Sequence, residues 1–452
     1  LKPVVESVIR EYEAASGHRV QVQYGGSGTL LSNLKVARVG DLFLAADDSY
    51  LDIARSNRLV VEVIPLARMK PVIAVAKGNP KNIRNLGDLM RTDVHLVLPN
   101  PDAAAIGKTV RGALTREGRW EGFAARALAF KPTVNDLAND LKLGSADATF
   151  LWDATVRQYP EMEAVEGEAF GGVASEVGVG ILESSKQPRE ALRFARYLGA
   201  PDRGGKSFVG QGFLLAEGDA WVEVPELLLY SGGVNRLAIE ETLRKFEDRE
   251  GVRITRVYNG CGILTAQIRS GQRPDGYFAC DVSFMKTVKD EFRPSVELAE
   301  TRMMIATKKG NPMGLNRLED LGRSGVKLGV ANEQQSALGA LTTRLLRRHG
   351  LYDVVMSNVV VQTPTADLLV NQLRTGSLDA VVVYEANTVG SAGQIGAEPI
   401  ELEGATAVQP IAVARSTRYP QLMGRLLGAL RSVESEARFT TQGFRWRDRR
   451  EP

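Results

Sequence analysis

Two cysteines, Cys261 and Cys280, stand 19 residues apart in a chain of 452 residues that has only three histidines, His18, His95 and His349. Structural zinc is held by about four Cys or His ligands at short spacings. No such set exists here, and no metal site is expected. The cysteine pair leaves three chemistries open: a disulfide in an oxidising compartment, two buried free thiols, or soft-metal and redox chemistry. A second candidate is Ser231-Gly232-Gly233, which ends the apolar run 227–230 and opens an amphipathic stretch at 235–250. A strand that turns through small residues into a helix exposes backbone N–H groups where the helix dipole favours an anion. No phosphate loop, catalytic triad or metalloprotease motif competes with it.

These residues sit in a repeat, which explains how they are positioned. "KGNP" at 77–80 returns at 309–312, 232 residues later, and the same offset relates Asn100 to Asn332, Gly107 to Gly339 and Gly144 to Gly376. Nearer the start of each copy the offset is 234, linking Tyr24 to Tyr258, Gly28 to Gly262 and Asp47 to Asp281. An offset that drifts slowly over so long a stretch marks a tandem duplication. Ile239, Leu243 and Phe246 share one helical face, and their counterparts Val5, Ile9 and Tyr12 share the same face in copy one. Copy one therefore opens inside its first helix, and the counterpart of 227–234 is expected ahead of Leu1. The three histidines follow no such pairing, so an enzyme with Cys261 as nucleophile lacks a matched base.

Within copy one, a strand is expected at 19–24, then a small-residue loop and a helix from about Thr29. Further strands are read at 42–44, along "PVIAVAKGNP" at 71–80 as a long strand ending at a turn, at 94–98 and at 148–151, with a helix at 135–143 that stops at Gly144 and a closing helix at 188–198. Strands alternating with helices point to a mostly parallel α/β sheet, in which ligands sit at the carboxyl ends of strands. Residues 1–217 are read as a first module, 218–225 as an acidic linker with Pro225, and 226–448 as a second module. The net charge of +3 gives no electrostatic reason for nucleic acid as a partner, and no apolar run approaches the roughly 18 residues of a membrane span, so no membrane insertion is expected.

The stretches "YGGSGTLLSNL", "LFLAAD", "NPDAAAIGK" and "LGSADATFLWDA", matched in copy two by "YNGCGILTAQI", "YFACD", "ANEQQSALG" and "GSLDAVVVYEA", together resemble the molybdate-binding type of periplasmic solute-binding protein. The resemblance covers nearly all of both copies. It implies two tandem modules, each of two α/β lobes with a cleft between them, in which neutral donors hold an oxyanion. Its donors fall on Ser27, Ala46, Ala105, Val134 and Trp152 in copy one. In copy two they fall on Ser231, Cys261, Cys280, Ala337, Ala366 and Tyr384. Trp152 stands where the family has a tyrosine, and Cys261 and Cys280 stand where a serine and an alanine are expected. If that geometry holds, both cysteines line the same end of one cleft.

Asp153 and Glu385 occupy equivalent places beside the cleft, as ligand contacts or as caps of the next helix. Asp47 and Asp281 read as helix caps. The implied function is non-catalytic: an exported protein, periplasmic or extracellular, that captures a molybdate- or tungstate-like oxyanion by lobe closure for an ABC transporter membrane component or for sensing, without a cofactor. Two other readings stay open: iron or copper held by Tyr384, Glu385 and the cysteine pair, and a sensor or scaffold with one degenerate module.

Overall fold

Each half of the chain has an amphipathic helix near its start. In this computed structural model, which describes residues 1–165 and 170–448, the helix Lys2–Ser16 buries Val4, Val5, Val8 and Tyr12. Pro3 lies in its first turn, where a missing N–H is tolerated, and Gly17 ends it in the left-handed region. Its counterpart Arg236–Glu250 buries Ile239, Leu243 and Phe246 and ends on Gly251. The faces are those the heptad-like spacing predicts. Tyr12 packs edge-on against Phe194 and Tyr197, with ring centroids 4.9 and 5.1 Å away. The chain divides into two units, Leu1–Glu223 and Val224–Pro452. Residues just before the division pack on the first unit: Trp221 lies edge-on to Tyr197 at 4.9 Å, and its N–H donates to Asp202.

The second unit is organised on one long strand, Val296–Lys308. Its first half pairs antiparallel with Thr406–Val413, and its second half pairs antiparallel with Ala380–Tyr384. The strand thus passes from one lobe into the other. On the first side, Glu226–Gly232 lies between Arg253–Asn259 and Gly276–Phe278, parallel to both. On the second, Leu328–Ala331 runs parallel to Val359–Thr363 and to Ala380–Tyr384. Each lobe has its own core, one around Tyr230, Leu264, Tyr277 and Phe292, the other around Ile305, Leu328, Leu369 and Val382.

The first unit follows the same path with the crossing strand interrupted at Lys70. Val60–Met69 pairs antiparallel with Ser175–Leu182, and Pro71–Ala76 pairs antiparallel with Ala148–Trp152. The expectation of a mostly parallel sheet is corrected accordingly. Helical crossovers do produce parallel pairs, but the crossing and return strands of each module run antiparallel, so the sheets are mixed.

A second correction concerns 19–24, which forms no strand. Its counterpart Arg253–Asn259 is held by the ladder to Glu226–Gly232, and no equivalent of that partner lies within Leu1–Glu223. Without a neighbour to accept its N–H groups, an apolar-polar alternation alone does not make a strand. Val22 and Tyr24 are exposed as a result. Among the described residues, no helix is long and apolar enough to cross a membrane.

Candidate functional site

In the second module, three helices start at the same place. Cys261–Arg269 follows Gly260, Ala337–Arg348 follows Ser336, and Ala366–Arg374 follows Thr365. Their meeting is set by Gly260: a Cβ there would lie 2.2 Å from the Gln335 carbonyl oxygen and 2.6 Å from that of Pro364. Only glycine lets loops from both lobes come so close. The first N–H groups of a helix have no intrahelical partner, so Cys261, Ala337 and Ala366 bring unsatisfied donors to one region. The turn after Glu226–Gly232 joins them, because a Cβ on Gly232 would lie 3.1 Å from Cys261 Sγ. Ser231 is fully buried there, its hydroxyl donating to the Gly232 carbonyl at 3.2 Å.

Cys261 and Cys280 are both buried free thiols with their sulfurs 2.9 Å apart. The Cys280 N–H donates to Cys261 Sγ at 3.1 Å. Burial pushes the Tyr384 phenol well above its usual range, and the Cys280, Asp281 and Cys261 charges add to the shift, so it stays protonated. Its oxygen is buried without a hydrogen-bond partner. Two supporting residues were not singled out from the sequence. Asn235 is fully buried and donates to the Phe278 and Ala279 carbonyls at 3.3 and 3.4 Å. Holding the Ala279 carbonyl fixes the opposite end of the same planar peptide, the Cys280 N–H. Gln409, also fully buried, donates to the Cys280 carbonyl at 2.9 Å. Asn235 directly follows the Ser-Gly-Gly-Val turn, a usable signal; Gln409 has none nearby.

The first module repeats this plan with different side chains. Ser27 opens the helix Ser27–Ala37, Ala105 opens Ala105–Arg116, and Val134 opens Val134–Lys142. The Ala46 N–H donates to Ser27 Oγ at 3.3 Å, the same cross-loop contact that Cys280 makes with Cys261. Ser27, Ala46, Ala105, Val134 and Trp152 all line one cavity of about 1280 Å³. It extends between 19–24 and Leu42–Ala45, where the second module places Glu226–Gly232.

Asp153 and Glu385 do something else. The Asp153 carboxylate accepts from the Lys70 N–H at 3.1 Å, and Glu385 takes a two-point ion pair from Arg302 at 2.9 and 3.0 Å. Lys70 and Arg302 are where the crossing strand changes lobes. Both carboxylates are thus committed to bracing that strand, and neither is carried forward as a ligand contact. Asp47 and Asp281 cap the helices Asp48–Ser56 and Val282–Lys286 through Ser49 and Ser283 N–H.

A paired set of loops closing on a cleft, made twice in one chain, has a direct counterpart among known families. The family described as bacterial extracellular solute-binding protein matches residues 1–214 and again residues 227–445. The chain belongs to this family. It carries two modules of the solute-binding type. A binding protein of Haemophilus influenzae is 28% identical over 217 residues, covering 48% of this chain and 88% of that one. The molybdate-binding protein ModA of Mycobacterium tuberculosis is 27% identical over 183 residues, 39% of this chain and 67% of that protein. Among solved structures, the periplasmic molybdate-binding protein of Azotobacter vinelandii matches with a TM-score of 0.43 at 17% identity, over 48% of this chain and 98% of its own.

Proposed function

We propose that this solute-binding protein is exported and that its second module captures a small oxyanion of the molybdate or tungstate type by closing its two lobes. The anion would be passed to an ABC-type membrane component or sensed. The observation that carries the reading is the meeting of three helix starts at Gly260, beside the Cys280 N–H and the buried Tyr384 hydroxyl. Such a cradle offers donors, and the nearby carboxylates of Asp281, Asp367 and Glu385 are engaged by Ser283, Asn387 and Arg302. A hydrogen bond to a charged group is worth about 1.5–3 kcal/mol net. Roughly five of them support micromolar to nanomolar affinity after ordering costs. Because the donors come from both lobes, the anion favours the closed arrangement through contacts that only closure supplies. The naming of a relative as molybdate-binding supports this ligand class.

Iron or copper binding is not favoured: among the described residues no three His, Cys, Asp or Glu side chains come together. Calorimetry of the chain with molybdate, tungstate, sulfate and phosphate tests the proposal. Heat with at least one is expected, and silence with all four would sink it.

A further inference from the structure

We propose that Cys261 and Cys280 form an oxidative modification site: a hydroperoxide joins the two thiols as a disulfide beside the second module's cleft, and the bond displaces the Cys261 helix start that helps to form the anion cradle. The coupling to the anion rests on the function proposed above; the modification itself does not. Four observations carry it. The sulfurs are 2.9 Å apart, and a disulfide needs them to close by less than about 1 Å. They are confined, since a Cβ on the facing Gly232 would lie 2.0 Å from Cys280 Sγ. Cys261 is the first residue of a nine-residue helix, and its sulfur accepts the Cys280 N–H at 3.1 Å, both of which favour a thiolate. Finally, the first module has Ser27 and Ala46 at these positions and makes the same N–H contact with oxygen at 3.3 Å. The cradle therefore works without sulfur, and the pair adds a chemistry that only one module has.

Burial alone would push the Cys261 thiol up, but the contacts with Cys280 Sγ and the Cys280 N–H outweigh it, and the net direction is down. Cys280 is raised, by its hydrogen bond to Cys261 and by burial. Cys261 is thus the nucleophile. Its thiolate attacks one oxygen of hydrogen peroxide, the O–O bond breaks, and the departing hydroxide takes a proton to leave as water. The resulting sulfenic acid is attacked at sulfur by Cys280, whose proton goes to the leaving oxygen, and a second water departs. Two thiols and one peroxide become one disulfide and two waters, with two electrons passing from sulfur to oxygen. Closing the sulfurs from 2.9 Å to bonding distance pulls on the Cys261 helix start, and the cradle loses its fit.

The test uses the full chain, reduced with dithiothreitol and then treated with hydrogen peroxide. Intact mass after denaturing alkylation is expected to show loss of two hydrogens and no alkylated thiol. Molybdate calorimetry on the same samples is expected to show affinity weakened about tenfold or more after oxidation, and restored by dithiothreitol. Cys261→Ser, whatever its own affinity, is expected to give the same value before and after peroxide, because the attacking sulfur is gone. If that variant does not fold, the dithiothreitol reversal in the native chain decides the same point. Two alkylated thiols after peroxide would overturn the modification, and a disulfide with unchanged affinity would overturn the coupling. A reduced chain that binds none of the four oxyanions removes the proposed function and the coupling with it, while the mass measurement still decides the modification.

Discussion

Tyr384 offers a test that separates a ligand contact from a packing residue in the proposed cleft. Its ring is buried at the end of Ala380–Tyr384, yet its hydroxyl has no partner in the described structure. A buried hydroxyl left unpaired costs stability, and a polar ligand would repay that cost. Tyr384→Phe is therefore expected to leave the melting temperature of the second module unchanged or raised, and to weaken molybdate about tenfold or more in calorimetry. A variant that lost stability and kept affinity would make Tyr384 a structural residue. Positions such as Ser27, Cys261 and Ala337 were legible in the sequence because each follows a small-residue loop and opens a helix, a local pattern. Asn235 and Gln409 were less so. They act by reaching carbonyls far along the chain, and Gln409 lies 129 residues from the Cys280 oxygen it holds. For Asp153 and Glu385, the Lys70 and Arg302 groups that pair with them lie where the crossing strand changes lobes, which no local spacing reveals.

At the scale of elements, the helix Arg236–Glu250 is locked to Pro420–Leu430 by a two-point ion pair between Glu250 and Arg425 at 2.6 and 3.0 Å. Both side chains are nearly inaccessible to water. Removing one member of such a pair leaves the other charged in a poor solvent, so Glu250→Ala is expected to destabilise the second module by about 3–5 kcal/mol in urea unfolding. Helices and most strands were legible because their periodicity is local. The strand expected at 19–24 did not form because pairing is a property of two segments, and among the described residues of Leu1–Glu223 no strand pairs with it.

For the whole molecule, the duplication was readable from repeated residues alone, and the fold adds that each copy forms its own unit. Within the second unit the lobes have separate cores but share the strand Val296–Lys308, which couples their unfolding. One calorimetric transition per module is therefore the expected behaviour, two for the chain. A ligand that binds only the folded form stabilises it by about 2.7 kcal/mol at a hundredfold excess over Kd. For a module of this size, each kcal/mol moves the midpoint by about 2–4 °C. The proposed anion site is in the second module, where the helix starts at Cys261, Ala337 and Ala366 meet beside Gly260 and Cys280. Saturating molybdate is accordingly expected to raise one transition by about 5–10 °C and leave the other where it was. Glu250→Ala identifies which is which, because it lowers the transition of the second module alone. Should both transitions rise together, the first module binds as well, with Ser27 and Ala46 in the places of Cys261 and Cys280. Should the unshifted one be the transition that Glu250→Ala lowers, the assignment of the anion to the second module is wrong.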